Sequence, residues 1–175
     1  INHILIQADI GSPNDFNNQL INKYDLKLNE LLNVRSFLDH NRIFEMPDKT
    51  KFDSENISTN STAAFCANNS NKILNPIIFK MSLIEHFLKW KPHISKFGLI
   101  LLELHTINPV LCSQNIGKTL ATAYDATHGY SNQYIIEYGD FLDSALIAGL
   151  KNKKTFEFNF PSKELTTVSI NLFHI

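Results

Sequence analysis

The sequence predicts an α/β fold in which a mainly parallel sheet is flanked by helices and ends in one antiparallel strand. Short apolar runs alternate with longer segments whose apolar residues recur at helical spacing. The runs at residues 31–38 and 99–102 are apolar on both faces, which is typical of strands inside a parallel sheet. The last two runs, at residues 155–160 and 165–173, are separated by a short connection. That spacing favours an antiparallel hairpin.

The first part of the chain supplies two strand candidates with a helix between them. Residues 4–10 form a β-rich run, after which Gly11-Ser12-Pro13 breaks the strand and starts a helix at residues 15–23. The next strand candidate is the run at residues 31–38. Residues 43–72 are rich in Asn, Ser and Lys and have no sustained apolar period. We therefore expect a long loop or lid there.

Two further helices are predicted from apolar stripes. The first covers residues 77–90, because Ile77, Met81, Ile84 and Leu88 fall on one side of a helix. The second covers residues 130–150, where tyrosine, phenylalanine and leucine side chains share a face and a glycine stands near the end. We interpret the first stripe as core packing.

The composition fits one domain at residues 1–175. The 175 residues are 43% hydrophobic, which is enough to bury one sizeable core. Sixteen basic and seventeen acidic side chains give a formal charge of -1, so we expect neither a nucleic-acid partner nor a membrane. Cys66 and Cys112 lack the spacing of metal ligands, which favours free thiols in a reducing compartment. We therefore expect a cytoplasmic protein.

Polar clusters follow several of the apolar elements. Asp9 ends the first run, Asp39-His40-Asn41-Arg42 follows the second, and Glu103 stands beside His105 after a later strand. Another cluster, at residues 123–131, contains His128 just before the last predicted helix. Because the carboxyl ends of parallel strands open into one crevice, we expect these clusters to converge.

Each cluster also has a purely structural interpretation. Asp9 can cap the turn that follows it, and Glu103 can pair with a lysine. His86 and His93 fit surface or packed positions near the end of a helix. The two common glycine-rich phosphate-binding patterns, GxGxxG and GxxxxGK followed by Ser or Thr, do not occur in the sequence.

Two other classes of function remain open at this point. His40, His105 and His128 are potential metal ligands, so one alternative is a metal-dependent hydrolase, although their spacing matches no short helical metal motif. The other alternative is a noncatalytic docking or structural module. It would use the sheet edge and the long loop as an interaction surface.

Four stretches carry a resemblance to a known family. VRSFLDHNR, LELH, AYDATHGYSNQYIIE and the closing TVSINLF together resemble the later part of a class I S-adenosylmethionine-dependent methyltransferase. They are most similar to the methyltransferases associated with bacterial polyketide and nonribosomal-peptide assembly lines. The resemblance implies a Rossmann-like fold and methyl transfer to a small-molecule or carrier-bound acceptor.

The resemblance also implies roles for individual residues. Asp9, preceded by Ala8 where the family has glycine, is the expected contact of the adenine amine. The segment after this strand is expected to line the methyl-donor and acceptor site, with Phe37 and Leu38 at the cofactor and Asp39 and His40 as catalytic candidates. An imidazole titrates near working pH, so His128 and His40 are the two candidates for the general base.

The sequence departs from the family at its beginning. A complete member has a strand with a glycine-rich turn and an acid that binds the cofactor ribose, and neither is recognisable here. We therefore expect the carboxyl-terminal part of a larger methyltransferase domain, inactive alone. S-adenosylmethionine would serve the complete enzyme, with none tightly bound by this chain. A free sheet edge is expected to pair with another chain or with an amino-terminal segment.

Overall fold

The structure, a computed structural model, describes residues 3–51, 56–61, 65–66, 73–119 and 134–175. The α-helices in these ranges are Pro13–Tyr24 (α1), Pro76–Trp90 (α2), Pro109–Gln114 (α3) and Tyr138–Ile147 (α4). The strands are Asn33–Ser36 (β1), Phe65–Cys66 (β2), Ile73–Leu74 (β3), Leu99–Leu104 (β4), Lys151–Asn152 (β5), Phe158–Phe160 (β6) and Val168–His174 (β7). Short 3-10 turns occupy Leu28–Glu30, Asp39–Asn41, Lys49–Lys51, Lys91–His93 and Lys154–Phe156.

The main sheet has five strands in the order β1-β4-β7-β5, and β6 pairs with the same strand β7. Strands β1 and β4 are parallel, with Val34 opposite Ile100. Strand β7 runs antiparallel to β4, β5 and β6. In the described part of the chain β1 therefore lies at one edge, next to the central strand β4.

Helices α2 and α4 pack together on one face of this sheet. The core there is formed by fully buried side chains of both layers, including Phe87, Leu99, Leu101, Phe141 and Phe173. A second apolar cluster joins α1 to the end of α2 through Leu20 and Trp90. Burial of these side chains fixes the layers, because the hydrophobic effect scales with the apolar area removed from water.

Several predicted elements are confirmed with small changes in their bounds. Helix α1 ends at Tyr24, and the left-handed conformation of Asp25 after it (φ 53) accompanies hydrogen bonds to carbonyls of the last helical turn. Helix α2 begins with a proline after Asn75, whose side chain accepts a hydrogen bond from the N–H of Ile77 at 3.1 Å. Strands β6 and β7 form the predicted antiparallel hairpin.

Three predictions about the fold need correction. Residues 4–10 are irregular rather than a strand, because no described strand pairs with them; Ile6 and Ile10 instead pack against the cluster around α1. The last predicted helix begins only at Tyr138, because the described residues 134–136 before it have no regular secondary structure. The sheet is mixed rather than mainly parallel, since short connections at the carboxyl-terminal end force antiparallel pairing.

The predicted loop or lid at residues 43–72 is described only in part. It contains the turn Lys49–Lys51 and strand β2. Strand β2 pairs antiparallel with β3, which follows directly after residue 72. Lys51 and the main chain of Asp48 bind Glu85 on α2. No helix in the described ranges is long and apolar enough to cross a membrane.

Candidate active site

A buried carboxylate, Glu103, organises the end of the parallel strand pair. It lies near the carboxyl end of β4, on the face covered by helices. Its Oε2 accepts the main-chain N–H of Asp39 at 2.9 Å and that of His40 at 3.3 Å, and its Oε1 accepts the N–H of Leu104 at 2.8 Å. Nδ1 of His40 also contacts Oε1 of Glu103. Glu103 therefore holds both the turn after β1 and the imidazole in that turn.

The turn after β1 begins at a residue with unusual backbone geometry. Phe37 has φ 56, which lies in the left-handed region that bulky side chains seldom adopt. Its N–H still donates to the carbonyl of Leu102 at 2.7 Å, so the change in direction occurs at the end of the ladder. As a result Asp39 and His40 point inward, while Phe37 and Leu38 remain exposed at the rim.

Asp39 is the centre of a second group of contacts. Nη2 of Arg35 lies 3.3 Å from its Oδ1, and Nε2 of His86 lies 3.0 Å from the same oxygen. Nη1 of Arg42 donates to the Asp39 carbonyl at 2.5 Å. Burial raises the pKa of Asp39, but the Arg35 charge and the hydrogen bond with His86 outweigh it and lower the pKa to about 2. Asp39 is therefore an anion, unsuited to accepting a proton near neutral pH.

Two arginines balance the two carboxylates of this network. Arg35 is buried, and its guanidinium lies 4.5 Å from the ring centroid of Trp90. Its nitrogens make no hydrogen bond within the described ranges, so the ion pair with Asp39 and the Trp90 ring are its main contacts. Burial lowers the pKa of both Arg35 and Arg42, but guanidinium groups stay charged in proteins.

The structure places His86 inside the network, where the sequence had suggested a surface or packed residue. Burial lowers the pKa of His86 to about 4, although its hydrogen bond with Asp39 opposes the shift. His86 is therefore neutral at physiological pH and serves Asp39 as a hydrogen-bond donor. The four-residue spacing of Ser82 and His86 was the available signal, because it places both on one side of α2, where Ser82 binds Arg42.

His105 has a structural environment that differs from that of His40. It is fully buried, its Nε2 lies 2.7 Å from Oγ of Ser169, and its ring lies 4.9 Å from the ring of Phe141. Burial lowers its pKa to about 3. The described residues contain no group of three His, Cys, Asp or Glu side chains that could hold a metal ion. His128, the third histidine of the metal alternative, lies outside the described residues.

Asp9 lies in a turn that reaches the edge of the buried network. Its Oδ1 accepts the N–H of Gly11 at 2.8 Å, as the capping interpretation expected. The carboxylate also lines an open groove of about 400 Å³ together with Phe16 and Gln19. Gly11 in turn lines a small cavity with Arg42 and His86. The structure thus brings the Asp9 turn close to the network around Asp39.

The sequence-predicted site residues are therefore only partly assembled in the described part of the chain. Asp39 and His40 lie together inside it, Phe37 and Leu38 lie at its rim, and Asp9 lies in the neighbouring turn. Glu103 pairs with a histidine instead of the lysine considered above. Arg35 was not identified from the sequence, although its four-residue separation from Asp39 across the end of a strand is visible there.

Comparison with known families gives one result over almost the whole chain. The family model described as AprA MT2-like domain, which is a model of methyltransferases, matches residues 1–171. A search of curated proteins finds no match.

Proposed function

The chain belongs to the AprA MT2-like domain family, a methyltransferase family of the type associated with polyketide and nonribosomal-peptide assembly lines. On this premise we propose that it supplies the part of an S-adenosylmethionine-dependent methyltransferase that carries the general base. The acceptor is a small molecule or a carrier-bound acyl chain. The observation that carries the proposal is the buried pair of His40 and Glu103 where two parallel strands end.

The cofactor supplies an electrophilic methyl group on a sulfonium sulfur. The groove beside Asp9 fits its adenine, because one carboxylate oxygen binds Gly11 and the other is available to the exocyclic amine. Phe37 and Leu38 offer apolar surface at the rim. A glycine-rich turn and a ribose-binding acid are not recognisable in the sequence. The chain alone is therefore expected to bind the cofactor weakly and to be inactive.

His40 is the general base of this proposal. In this proposal Nδ1 of His40 donates a hydrogen bond to the Glu103 carboxylate, which leaves the imidazole lone pair on Nε2. Nε2 would take the proton from the acceptor hydroxyl or activated carbon, and that atom would receive the methyl group as its bond to the cofactor sulfur breaks. The Glu103 carboxylate then stabilises the imidazolium that results, and the main-chain donors of Asp39 and Leu104 keep the carboxylate in place.

His128 remains the second candidate for the base. Its place in ATHGYS, before a predicted helix, motivates this assignment. The two candidates are separated by substituting each histidine with alanine in the active enzyme. If His128→Ala removes turnover and His40→Ala does not, the base is His128 and the role of Glu103 is structural.

The test of the function is transfer of a tritiated methyl group from S-adenosylmethionine to an acetoacetyl carrier-protein thioester. The chain is assayed alone and with the amino-terminal half of an intact AprA MT2-like methyltransferase, which contains the strand and glycine-rich turn. We expect transfer only in the mixture, and only weak cofactor binding by the chain alone in calorimetric titration. Micromolar cofactor binding or turnover by the chain alone contradicts the proposed division of the site.

A noncatalytic docking or structural module of an assembly-line protein is the second candidate function, and the exposed apolar side chains of Val34, Phe158 and Phe160 on the sheet favour it. Under this alternative the mixture associates, yet no methyl group is transferred to any acceptor. The buried network would then serve stability alone, as buried ion networks in many proteins do.

A further inference from the structure

The guanidinium group of Arg35 is buried, yet its hydrogen-bond donors have no acceptors among the described residues. Arg35 is 5% exposed, and Nε, Nη1 and Nη2 are all without a hydrogen bond there. Such a group loses its hydrogen bonds with water and gains none in the protein, which costs free energy. An aliphatic side chain would fill the same space without this cost. Packing alone therefore does not explain an arginine at this position.

Arg35 and Arg42 contact the same residue, Asp39, in different ways. Arg42 makes directed hydrogen bonds, from Nη1 to the Asp39 carbonyl at 2.5 Å and from Nη2 to Oγ of Ser82 at 3.3 Å. Arg35 instead forms an ion pair, with Nη2 at 3.3 Å from Oδ1 of Asp39, while its guanidinium lies 4.5 Å from the ring centroid of Trp90. A guanidinium stacked on an aromatic ring keeps its orientation without hydrogen bonds. Arg35 therefore acts on Asp39 through its charge.

Asp39 links Arg35 to the imidazole of His40. Asp39 and His40 are consecutive residues of one 3-10 turn. The main-chain N–H of each donates to Oε2 of Glu103, at 2.9 Å and 3.3 Å. The other carboxylate oxygen of Glu103 contacts Nδ1 of His40. The charge of Arg35 is thus connected to the imidazole through direct contacts only.

The charges of this network balance only when Arg35 is included. Two carboxylates, of Asp39 and Glu103, face two guanidinium groups, of Arg35 and Arg42, and all four side chains are buried. Without Arg35 one negative charge would be left over beside His40. A negative charge in a buried region favours a protonated imidazole, because water screens the charge poorly there. An imidazole that already holds a proton cannot take one from the acceptor.

No other group in the described ranges supplies the charge of Arg35 to this turn. Burial lowers the pKa of His86 to about 4 and that of His105 to about 3, so both imidazoles are neutral near pH 7. Tyr134, whose N–H donates to the carbonyl of His40 at 2.9 Å, and Asp9 in the neighbouring turn carry no positive charge. The lysines near the turn belong to ion pairs of their own, Lys89 with Glu45 and Lys51 with Glu85.

We propose that Arg35 is a positioning residue that acts on the base through Asp39, because its buried charge balances the network and leaves His40 able to accept a proton. The proposal rests on the proposed function, in which His40 takes the proton of the acceptor. Arg35 has no assigned contact with the cofactor or the acceptor. It should therefore govern the rate of methyl transfer in the acid part of the pH range, and not the binding of either substrate.

The first test measures kcat and KM from pH 6 to pH 9 in the mixture of the chain with the amino-terminal half. Arg35→Met removes the charge, and we expect the acid limb of the kcat profile to move to higher pH by about one unit. Turnover at the acid end should then fall by about tenfold and recover at pH 9, with KM for both substrates within about twofold of the unmodified value. A loss of packing alone would lower kcat by the same factor at every pH.

Two further variants separate the charge of Arg35 from its shape. Arg35→Lys keeps a positive charge, so its acid limb should stay near the unmodified position. Arg35→Gln can donate a hydrogen bond to Asp39 but is neutral, so its profile should follow that of Arg35→Met. It also takes the place of Arg35→Met if circular dichroism shows that variant to be unfolded.

Lys96→Met is the matched control for the loss of a stacked cation. Lys96 is exposed, and its Nζ lies 5.2 Å from the ring centroid of Phe97, just before β4 begins. The network around Glu103 lies at the other end of that strand. The pH profile of Lys96→Met should therefore equal that of the unmodified chain.

Nuclear magnetic resonance of the chain alone makes a second test that does not depend on methyl transfer. The ring nitrogen signals of His40 report its protonation, and His40→Asn identifies these signals by their absence. We expect His40 to take up its proton at higher pH in Arg35→Met than in the unmodified chain. If the proposed function is wrong, no variant of the mixture turns over, while this difference between the two chains persists.

Three results would overturn the role of Arg35. The first is an acid limb that keeps its position on the pH axis in both neutral variants, whether or not kcat falls. The second is a profile of Arg35→Lys that moves as far as that of Arg35→Met. The third is uptake of the proton by His86 instead of His40 in the neutral variants, which would mean that the charge of Arg35 serves Asp39 alone.

Discussion

At the scale of residues, the central feature is a buried carboxylate that accepts hydrogen bonds from the main chain around it. Glu103 accepts from three main-chain N–H groups and contacts His40, so its position depends on the backbone rather than on a flexible partner. Asp39 has a different role, because Arg35 and His86 hold it as an anion. The imidazole of His40, the proposed base, is thus held in one orientation. The charges of the two neighbouring arginines and the two carboxylates balance.

Buried histidines predict a loss of stability in mild acid. Burial lowers the pKa of His86 to about 4 and that of His105 to about 3, whereas both titrate near 6.5 in the unfolded chain. Between the folded-state and unfolded-state pKa values, the unfolded chain binds more protons than the folded chain. The stabilisation is therefore complete above about pH 6.5 and is lost as the pH falls. Each pH unit below about 6.5 therefore removes at most about 1.4 kcal/mol of the unfolding free energy per histidine.

Urea unfolding at pH 7.5 and pH 5 measures this effect. The unfolding free energy should fall between the two conditions, and His105→Gln should reduce the fall. His3→Gln is the control, because His3 is exposed and should leave the fall unchanged. Equal stability at both pH values in the unmodified chain would show that these imidazoles are not buried as described. The Asp39 contribution belongs to a more acidic window, between its unfolded pKa and about 2.

At the scale of elements, α2 connects the site to the rest of the fold. Its buried Lys80 donates to Oδ1 of Asp140 at 3.1 Å and to the carbonyl of Ser58 at 2.6 Å, and it also pairs with Asp143. Asp140 and Asp143 belong to α4, so one ammonium group joins both helices to the segment around Ser58. His86 lies further along the same helix. Through His86, α2 therefore contacts Asp39 directly.

Replacing Lys80 with alanine should lower the unfolding free energy by about 3 kcal/mol, because it leaves a partly buried Asp140 without its cation. Chemical denaturation measures the change. Lys89→Ala is the control, since its pair with Glu45 is more exposed and should contribute at most about 1 kcal/mol. A loss of under 1 kcal/mol for Lys80→Ala would mean that the two helices are held by apolar packing alone.

The sequence predicts elements best where local signals coincide. Pro76 after a capping Asn75 and a long apolar stripe identify α2 almost to the residue. The run at residues 4–10 has the composition of a strand but lacks a partner, and composition alone cannot reveal that absence. The partners of Glu103 were equally hidden, because its contacts with Asp39 and His40 span more than 60 positions of the chain.

At the scale of the whole molecule, helices α2 and α4 cover one face of the sheet. That face buries the network around Glu103, and β1 lies at an edge with which no described strand pairs. The rim residues Phe37 and Leu38 follow β1 directly, so a strand added beside β1 would end next to them. Ligands of α/β sheets bind at such strand ends. Cofactor binding and catalysis are thus expected to depend on the same edge.

The most direct test of the central claim compares turnover of His40→Asn with that of His93→Gln in the active mixture. Asparagine can still donate to Glu103 but has no nitrogen that accepts a proton, while glutamine at position 93 can keep the contact with Asn14. We predict that His40→Asn lowers kcat by about 10²–10⁴-fold, with cofactor affinity and melting temperature near those of the unmodified protein. Near-normal turnover of His40→Asn, equal to that of His93→Gln, would contradict the account.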